Sequence, residues 1–468
     1  MTNWMNRTVT NLTKILFLSL VLVWGSQDGA FASSRSNDKS PLIKVVESSE
    51  VDRNSPEEIW LASTDDLLLD DGDLLSDDEY VSDSEEDIST EDEDVTEAAV
   101  KAHEQLFLET RYPSAQTCVT CHPKQFREWS VSQHSYSQLS PVYLSLSNKI
   151  NQLSNGSNGD FCVRCHNQVG TNLGEETHIS NLERHPTSRE GITCVACHRL
   201  DKSYNKASGR LPLIQGGVTE PIYGPEGNAE LERVLDKPEE FRVVTDPEAS
   251  GRKIHGEVKK FANISTPTFC GQCHDVTLFN GFRLEEAFSE YRMSPAAARG
   301  TTCQDCHMGK EQGVASGYEY GPAAVVGGVP TKDRKLTNHM FSGPDYSIIH
   351  PGIFPHNSEA QQMATLEQWL EYDVEAGWGT DEFEDTVSDD YEFPARWEGI
   401  DDRYDARDIL DDQFALLEEA RLSRLEVLRN GYQISDIVTE SAGKDGIEFK
   451  VKVISATDGH NIHIESEK

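Results

Sequence analysis

The feature that most constrains this chain is a short cysteine motif that occurs five times. In each copy two residues separate the cysteines, and a histidine follows the second one. All ten cysteines of the 468 residues belong to these copies, so none is left over for a disulfide framework. The group that these motifs bind therefore determines how the chain folds around them. The five copies are Cys118–His122, Cys162–His166, Cys194–His198, Cys270–His274 and Cys303–His307.

The spacing of the motif is that of covalent haem c attachment. Its two thiols can bind the two vinyl groups of one haem, and the adjacent imidazole reaches the iron as the proximal ligand. A redox cysteine pair or half of a zinc site would not require this histidine. The sequence therefore predicts five covalently bound haem c groups, each with its iron. The predicted attachment residues are Cys118, Cys121, Cys162, Cys165, Cys194, Cys197, Cys270, Cys273, Cys303 and Cys306, and the predicted proximal ligands are His122, His166, His198, His274 and His307.

The motifs lie close together along the chain. Residues 112–340 contain all five, which leaves about 46 residues for each haem. Because so short a length cannot enclose each haem in its own globular pocket, we expect the haems to lie near one another. A close array of redox centres conducts electrons, and this is the main physical argument for electron transfer.

The second axial ligand of each iron must come from elsewhere in the chain. An electron-transfer haem usually has two axial ligands, whereas a catalytic haem leaves one position open. The chain has 15 histidines and 6 methionines, which favours ligation by two histidines. The sequence leaves open which histidine serves which haem. The expected distal ligands are His134, His255, His339, His178 and His350.

The order of these residues resembles the multihaem cytochromes related to the tetrahaem cytochrome c that accepts electrons from hydroxylamine oxidoreductase. The likeness covers roughly residues 110–345. It is carried by the first motif with Trp129 and His134, by Gly191–His198, and by the last motif with Met308 and His339. In that family the counterpart of His134 is a distal ligand, usually to a different haem. The resemblance implies the same role here.

The chain also departs from the family pattern. It has a fifth motif, and it lacks the C-x-x-C-K site that marks the catalytic haem of pentahaem nitrite reductases. Gly459–Ile464 begins like the β module of longer relatives but lacks the proline and glycine that follow there. His460 is therefore not among the expected ligands.

Composition divides the chain into five segments. Arg7 and Lys14 precede a short apolar run, and Ala30–Ala32 offers a cleavage site, which is typical of a secretory signal peptide. Residues 65–97 hold 17 carboxylates and no lysine or arginine, and such a stretch cannot bury a core. The predicted segments are a signal peptide at 1–32, an acidic disordered segment at 33–100, a pentahaem cytochrome domain at 101–345, a helical segment at 346–430 and a β-strand-containing segment at 431–468.

Few regular elements are expected within the motif region, where helical periodicity is weak and strands are few. Beyond it, the apolar spacing predicts a short helix over 358–372, an irregular stretch over 374–404 and a longer helix over 405–429. Alternation predicts a strand over 447–454. The predicted fold is mostly α, with extensive loops around five c-type haems, a C-terminal helix and a small β module that is either incomplete or adds to another sheet.

The net charge of −39 argues against nucleic acid and anionic membranes as partners. We expect an exported pentahaem cytochrome, periplasmic or extracellular up to the bacterial outer surface. It would pass electrons between redox proteins such as other cytochromes or a quinol-linked donor, without a membrane span in the mature chain. Electron transfer is favoured over catalysis. The alternatives are a nitrogen-oxide or hydroxylamine-type oxidoreductase with one open haem, and a conductive assembly in which the chain forms oligomers or filaments.

Overall fold

A computed structural model describes residues 100–101, 111–202, 207–278, 281–345, 357–444 and 446–461 of the chain. The predicted signal peptide, the acidic segment up to residue 99 and His350 lie outside these residues. Internal contacts divide the described chain into two units. One unit is the segment 435–452, and the other contains the residues before 435 and after 452.

Helix is the commonest regular structure of the described chain, and most of the helices are only one or two turns long. Three 3-10 turns, at Pro186–Glu190, Ala262–Ser265 and Ala395–Trp397, lie between them. The helices are α1 (Ala115–Val119), α2 (Pro123–Ser130), α3 (Pro141–Leu153), α4 (Val163–His166), α5 (Gln168–Leu173), α6 (Cys194–His198), α7 (Ala229–Leu235), α8 (Pro238–Phe241), α9 (Pro267–Cys270), α10 (Ala287–Arg292), α11 (Pro295–Ala298), α12 (Cys303–His307), α13 (Ser358–Met363), α14 (Leu366–Glu371), α15 (Asp381–Glu384) and α16 (Ile400–Gly431).

The strands of the described residues pair two by two and form no larger sheet. Ten of them fall in the motif region, where the sequence led us to expect few. Each has only two to four residues, too short for an alternating pattern to be visible. The parallel pairs are β1 (Ile222–Gly224) with β4 (Val258–Lys260) and β2 (Val243–Val244) with β3 (Arg252–Lys253). The antiparallel pairs are β5 (Val276–Thr277) with β6 (Arg283–Glu285), β7 (Glu319–Pro322) with β10 (Asp333–Leu336), β8 (Val325–Val326) with β9 (Val329–Pro330), β11 (Tyr432–Ile434) with β14 (Val453–Ser455), and β12 (Val438–Gly443) with β13 (Gly446–Lys450).

Local sequence signals start many of the short helices. The hydroxyl of Ser114 accepts the N–H of Gln116 at the start of α1, and Ser140 does the same for Tyr143 at the start of α3. Thr302 and Asp305 form a reciprocal capping box that begins α12. A side-chain cap satisfies backbone donors that a short helix leaves unpaired, which matters most where few turns share the cost of nucleation.

Apolar packing is split into three separate clusters. Two support the motif region, and the third joins α13, α14 and the first half of α16. The first cluster contains Tyr112, Val169, Val195, Leu200, Leu211, Leu213, Tyr223 and Phe261. The second contains Cys121, Leu231, Val234, Phe241, Val243, Ile254 and Val326. The third contains Ala360, Ala364, Trp369, Tyr372, Trp378, Trp397, Ala406 and Leu410.

The C-terminal helix is confirmed and longer than predicted. The predicted span 405–429 lies within α16, which begins at Ile400. The helix predicted over 358–372 is divided into α13 and α14, because Thr365 caps a new helix through its own capping box. The stretch 374–404 is less irregular than expected, since it contains α15, a 3-10 turn and the first turn of α16.

The strand predicted over 447–454 is present as two strands, β13 and β14, that pair with different partners. β12 and β13 form an antiparallel hairpin within the unit 435–452. Among the described residues, no helix combines the length and the apolar character that crossing a bilayer requires.

Candidate haem-binding site

Each motif lies in or beside a short helix. The helices α1, α4, α6, α9 and α12 carry motifs one to five in that order. In motif one the N–H of His122 donates to the carbonyl of Cys118 at 2.9 Å, and in motif four the N–H of His274 donates to that of Cys270 at 3.1 Å. Residues three and four positions apart share one face of a helical turn, so both thiols and the imidazole lie on the same side.

The sulfur atoms of the motifs are available for bonding. All ten cysteine side chains are free thiols. Cys121 is buried and the others are half-buried. Thioether attachment requires two reduced thiols at each motif, and the structure meets this requirement at all five.

Four of the five motif histidines have the tautomer that an iron ligand needs. In each of them Nδ1 lies within hydrogen-bonding distance of a main-chain carbonyl oxygen. Because a carbonyl can only accept, Nδ1 carries the proton and the lone pair is on Nε2, where a metal would bind. The pairs are His122 with Ala323 at 2.8 Å, His166 with Ser137 at 3.0 Å, His198 with Tyr223 at 2.8 Å and His307 with Ser342 at 2.9 Å.

Three motif histidines each face a second imidazole across a gap. A metal–imidazole bond is about 2 Å long, so two such bonds and the two ring radii separate ring centroids by about 6 Å. The observed separations match this value. The pairs are His122 with His255 at 6.5 Å, His274 with His134 at 6.2 Å, and His307 with His460 at 6.2 Å. Rings in van der Waals contact would lie closer, so each gap has room for one metal atom.

The electrostatics of two of these pairs also suit metal ligation. Burial, with a smaller contribution from the neighbouring His274, lowers the pKa of His134 to about 3. Burial lowers the pKa of His255 to about 4, with His122 as the next contribution. Both imidazoles are therefore neutral at physiological pH, which is the form that binds a metal.

His339 lies near the histidine of the third motif. Burial lowers its pKa to about 4, and the largest contribution from a neighbouring charge comes from His198. Its Nδ1 donates to the carbonyl of Thr337 at 2.8 Å, which leaves Nε2 as the acceptor. Its main-chain N–H donates to Glu128 at 2.9 Å and fixes the backbone that carries the ring.

In the second motif the histidine ring is in van der Waals contact with a phenol ring. His166 and Tyr143 stack in parallel with their centroids 4.0 Å apart. Burial raises the pKa of Tyr143 to about 12, with a further contribution from Cys162. Tyr143 therefore stays protonated and neutral at physiological pH.

A cavity of about 180 Å³ opens beside this motif. Arg184 is buried against it and donates to Glu175 at 2.8 Å, while its Nε has no hydrogen-bond partner. The lining residues are Asp160, Val163, Gly170, Thr171, Glu175, Thr177 and Arg184. The second motif thus combines a cationic side chain with open space.

The motifs also contact one another through their thiols. Three pairs of cysteines from different motifs are close enough to interact, and Cys197 adds a weaker influence on both thiols of motif four. Motif one therefore neighbours motif three, and motif four neighbours motifs two, three and five. The interacting pairs are Cys118 with Cys194, Cys165 with Cys273, and Cys270 with Cys303.

The predicted distal histidines fall into two groups. His134, His255 and His339 lie beside motif histidines, whereas the side chain of His178 is exposed, and His350 lies outside the described residues. Sequence reasoning missed His460 and Tyr143. The glycine–histidine pair after the last strand was a signal for His460, but nothing in the sequence around Tyr143 indicated its place.

These residues fit haem c. The thiols are free, four of the five motif imidazoles present Nε2, and the gaps between paired imidazoles have the width of a metal atom with two axial bonds. Among the described residues, no group of three or more His, Cys, Asp and Glu side chains converges as in a site that holds a bare metal ion. The two free thiols and the adjacent imidazole of each motif suit an iron held within a covalently attached macrocycle.

Comparison with known proteins agrees with this geometry. Residues 117–199 match the family described as cytochrome c554 and c-prime, and this stretch contains the first three motifs. Neither the curated proteins nor the solved structures give a match to the chain. The family match and the geometry together support a c-type cytochrome with covalently bound haem iron and a role in electron transport.

Proposed function

We propose that this protein is an exported pentahaem c-type cytochrome that relays electrons between redox partners. Bound haem supplies reversible one-electron exchange at its iron. The cysteines of each motif would attach one haem, and the motif histidines would be the proximal ligands. The signal peptide predicted at 1–32 supports export. The acidic composition supports partner proteins with basic surfaces.

The observation that carries the proposal is the set of facing imidazoles. His255, His134 and His460 would be the distal ligands opposite motifs one, four and five, and His339 would serve motif three. Hydrogen bonds from Nδ1 to fixed carbonyls orient the motif rings, and such partners hold a ligand ring in one tautomer and direction. An iron with two axial imidazoles has no open position, which suits electron transfer.

The neighbourhood of the motifs supports a continuous path. Motif one neighbours motif three, motif three neighbours motif four, and motif four neighbours both motif two and motif five. The proposed relay is therefore a line from motif one to motif five with motif two as a branch.

Haem counting tests this proposal. The mature protein, produced with the c-type haem maturation machinery of a bacterial periplasm, should carry five haems per chain by intact mass. A variant with Cys118→Ala and Cys121→Ala should lose one haem and slow electron passage through the chain. Fewer than five haems in the unaltered protein, or full electron transfer in the variant, would overturn the proposal.

The second motif supports a second candidate function, a nitrogen-oxide or hydroxylamine-type oxidoreductase. Tyr143 stacks on the ring of His166, and Arg184 lines the adjacent cavity. Arg184 could bind an anion such as nitrite, and Tyr143 could hold a proton at its hydroxyl. Low-temperature EPR of the ferric protein tests this, since a high-spin signal of about one haem per chain that cyanide or nitrite removes would support it. Low-spin signals alone would exclude it.

A further inference from the structure

Glu190 is a buried carboxyl group that has no role in the proposed electron relay. It is the last residue of the 3-10 turn Pro186–Glu190, and none of its surface is exposed. Its oxygens accept hydrogen bonds from the hydroxyl of Ser114, from the N–H of Ala115 at 3.0 Å and from the hydroxyl of Thr193 at 2.6 Å. Every one of these donors belongs to a helix start that leads into a motif.

The position of Glu190 joins motifs one and three. Ser114 is the N-cap residue of α1, which carries Cys118, and Thr193 is the N-cap residue of α6, which begins at Cys194. The thiols of Cys118 and Cys194 are close enough to interact, and the charge of Glu190 acts on Cys194. The carboxyl group therefore lies beside the place where the haems of motifs one and three would meet.

The charged surroundings of Glu190 are sparse. Arg189, on the same turn, is the cation that acts on it, and Arg189 is shared with Glu175. Cys118 and Cys194 are the other titratable groups nearby, and as thioethers they would no longer ionise. Burial raises the pKa of Glu190 to about 7, against the opposing effect of its hydrogen-bond donors and of Arg189.

Both protonation states of Glu190 can be satisfied where it lies. As a carboxylate it accepts from the two hydroxyls and the amide. As a carboxylic acid it can donate to the oxygen of Ser114 or Thr193, because a hydroxyl both donates and accepts. The amide of Ala115 keeps an acceptor in either case. No heavy atom has to move when the proton arrives, because the hydroxyl that accepts from the acid only has to turn its own hydrogen away.

We propose that Glu190 binds a proton when the haem pair of motifs one and three is reduced and releases it on oxidation. The inference rests on the proposed relay. One electron from a one-electron redox partner converts a ferric iron to a ferrous one, and one proton from solvent adds to a carboxylate oxygen. Because reduction removes one positive charge near the carboxylate, it favours the protonated form. Oxidation reverses both changes.

The test is a spectroelectrochemical titration of the haem-loaded, full-length protein between pH 5.5 and pH 9. In the unaltered protein, the potentials of two haems should fall with rising pH around neutrality, and their two slopes together should account for no more than one proton. In Glu190→Gln that pH dependence should be lost. Glu176→Gln, an exposed charge change in the same region, should keep it.

A second variant leaves the carboxyl group in place. Ser114→Ala removes one donor to the carboxylate, so the pH window of the slope should move upward. A slope that survives in Glu190→Gln, or potentials independent of pH in the unaltered protein, would overturn the inference. Missing haem at motif one or three, seen by mass, would instead count against the relay itself.

Discussion

The imidazoles of His307 and His460 lie 14° from parallel with their centroids 6.2 Å apart, although they come from the last motif and from the C-terminal end of the described chain. Two pairs of residues fix the turn that carries His460. Asn461 donates to Glu290 at 2.7 Å and at 2.9 Å, and Asp458 pairs with Arg299 at 2.7 Å. A segment far from the motifs thus places a second imidazole beside the histidine of the fifth motif.

Replacing His460 should open one iron without releasing its haem. In His460→Ala the attachment residues Cys303 and Cys306 are untouched, so haem content should not change. Loss of one axial ligand should add a high-spin ferric EPR signal of about one haem per chain to that of the unaltered protein. His178→Ala removes an exposed histidine and should leave the spectrum as it was. An unchanged spectrum in His460→Ala would show that another group serves motif five.

Gly191 lies directly against the backbone of His134. Its φ of +63° favours glycine, and a Cβ there would lie 2.6 Å from the carbonyl oxygen of His134 and 2.3 Å from the hydroxyl of Ser137. Gly191→Ala should cost about 1–3 kcal/mol of stability through backbone strain and the contact. It should also push His134 away from His274, and a fraction of one haem should become high-spin.

Gly174 provides the matched control for Gly191. It also has a positive φ, of +77°, but a Cβ there would meet no atom within 4 Å. Gly174→Ala should therefore lower the midpoint of thermal unfolding without altering the EPR spectrum. Equal spectral changes in both variants would mean that strain alone, and not the contact with His134, displaces the ligand.

Sequence reasoning succeeded where the residues that carry the chemistry are close together in the sequence. The C-x-x-C-H spacing pointed to c-type haem, and the apolar spacing placed the C-terminal helix, which the structure describes as Ile400–Gly431. It could not predict the short strands, because two-residue strands such as Val243–Val244 are stabilised by their partners and not by their own pattern. It also could not identify the partner of each motif histidine, since that depends on tertiary packing.

His460 and Tyr143 show the two ways in which a candidate site residue is missed by such reasoning. His460 lies in a segment that departs from the family pattern, and judging it by that pattern left it out. Tyr143 follows an ordinary helix start, Ser140 and Pro141, and its place against His166 arises only when α3 folds beside motif two. The residue type of Tyr143 alone therefore does not indicate that it lies against a motif histidine.

Trp129 links the segment after motif one to the segment before motif three. Its Nε1–H donates to the carbonyl of Ile192 at 2.8 Å, and the ring is 4% exposed. Trp129→Phe keeps the apolar ring but leaves this carbonyl without that donor, so the free energy of unfolding should fall by about 1–2 kcal/mol. Guanidinium unfolding followed by far-UV circular dichroism measures this. Tyr320→Phe, at an exposed ring, should have no effect, and a loss of equal size there would refute the argument.

The buried ion pair of Arg403 with Glu384 should stabilise the C-terminal helical segment. Their side chains are 5% and 1% exposed, and Arg403 also donates to the carbonyl of Trp397 at 2.7 Å. Glu384→Gln would leave a buried guanidinium without its counter-charge, and the free energy of unfolding should fall by about 3 kcal/mol. Glu418→Gln, in an exposed pair with Arg421, should cost no more than about 1 kcal/mol.

The contribution of Glu384 should also depend on pH in a defined direction. The hydrogen bond from Arg403 holds the pKa of Glu384 below its ordinary value. A carboxyl group with a lowered pKa in the folded state stabilises the fold above its unfolded pKa, about 4.3, and this contribution is lost as pH falls through the folded pKa. The difference in unfolding free energy between the unaltered protein and Glu384→Gln should therefore be largest near neutral pH and shrink below about pH 4. Urea unfolding at several pH values measures it, and a difference that grows on acidification would contradict the assignment.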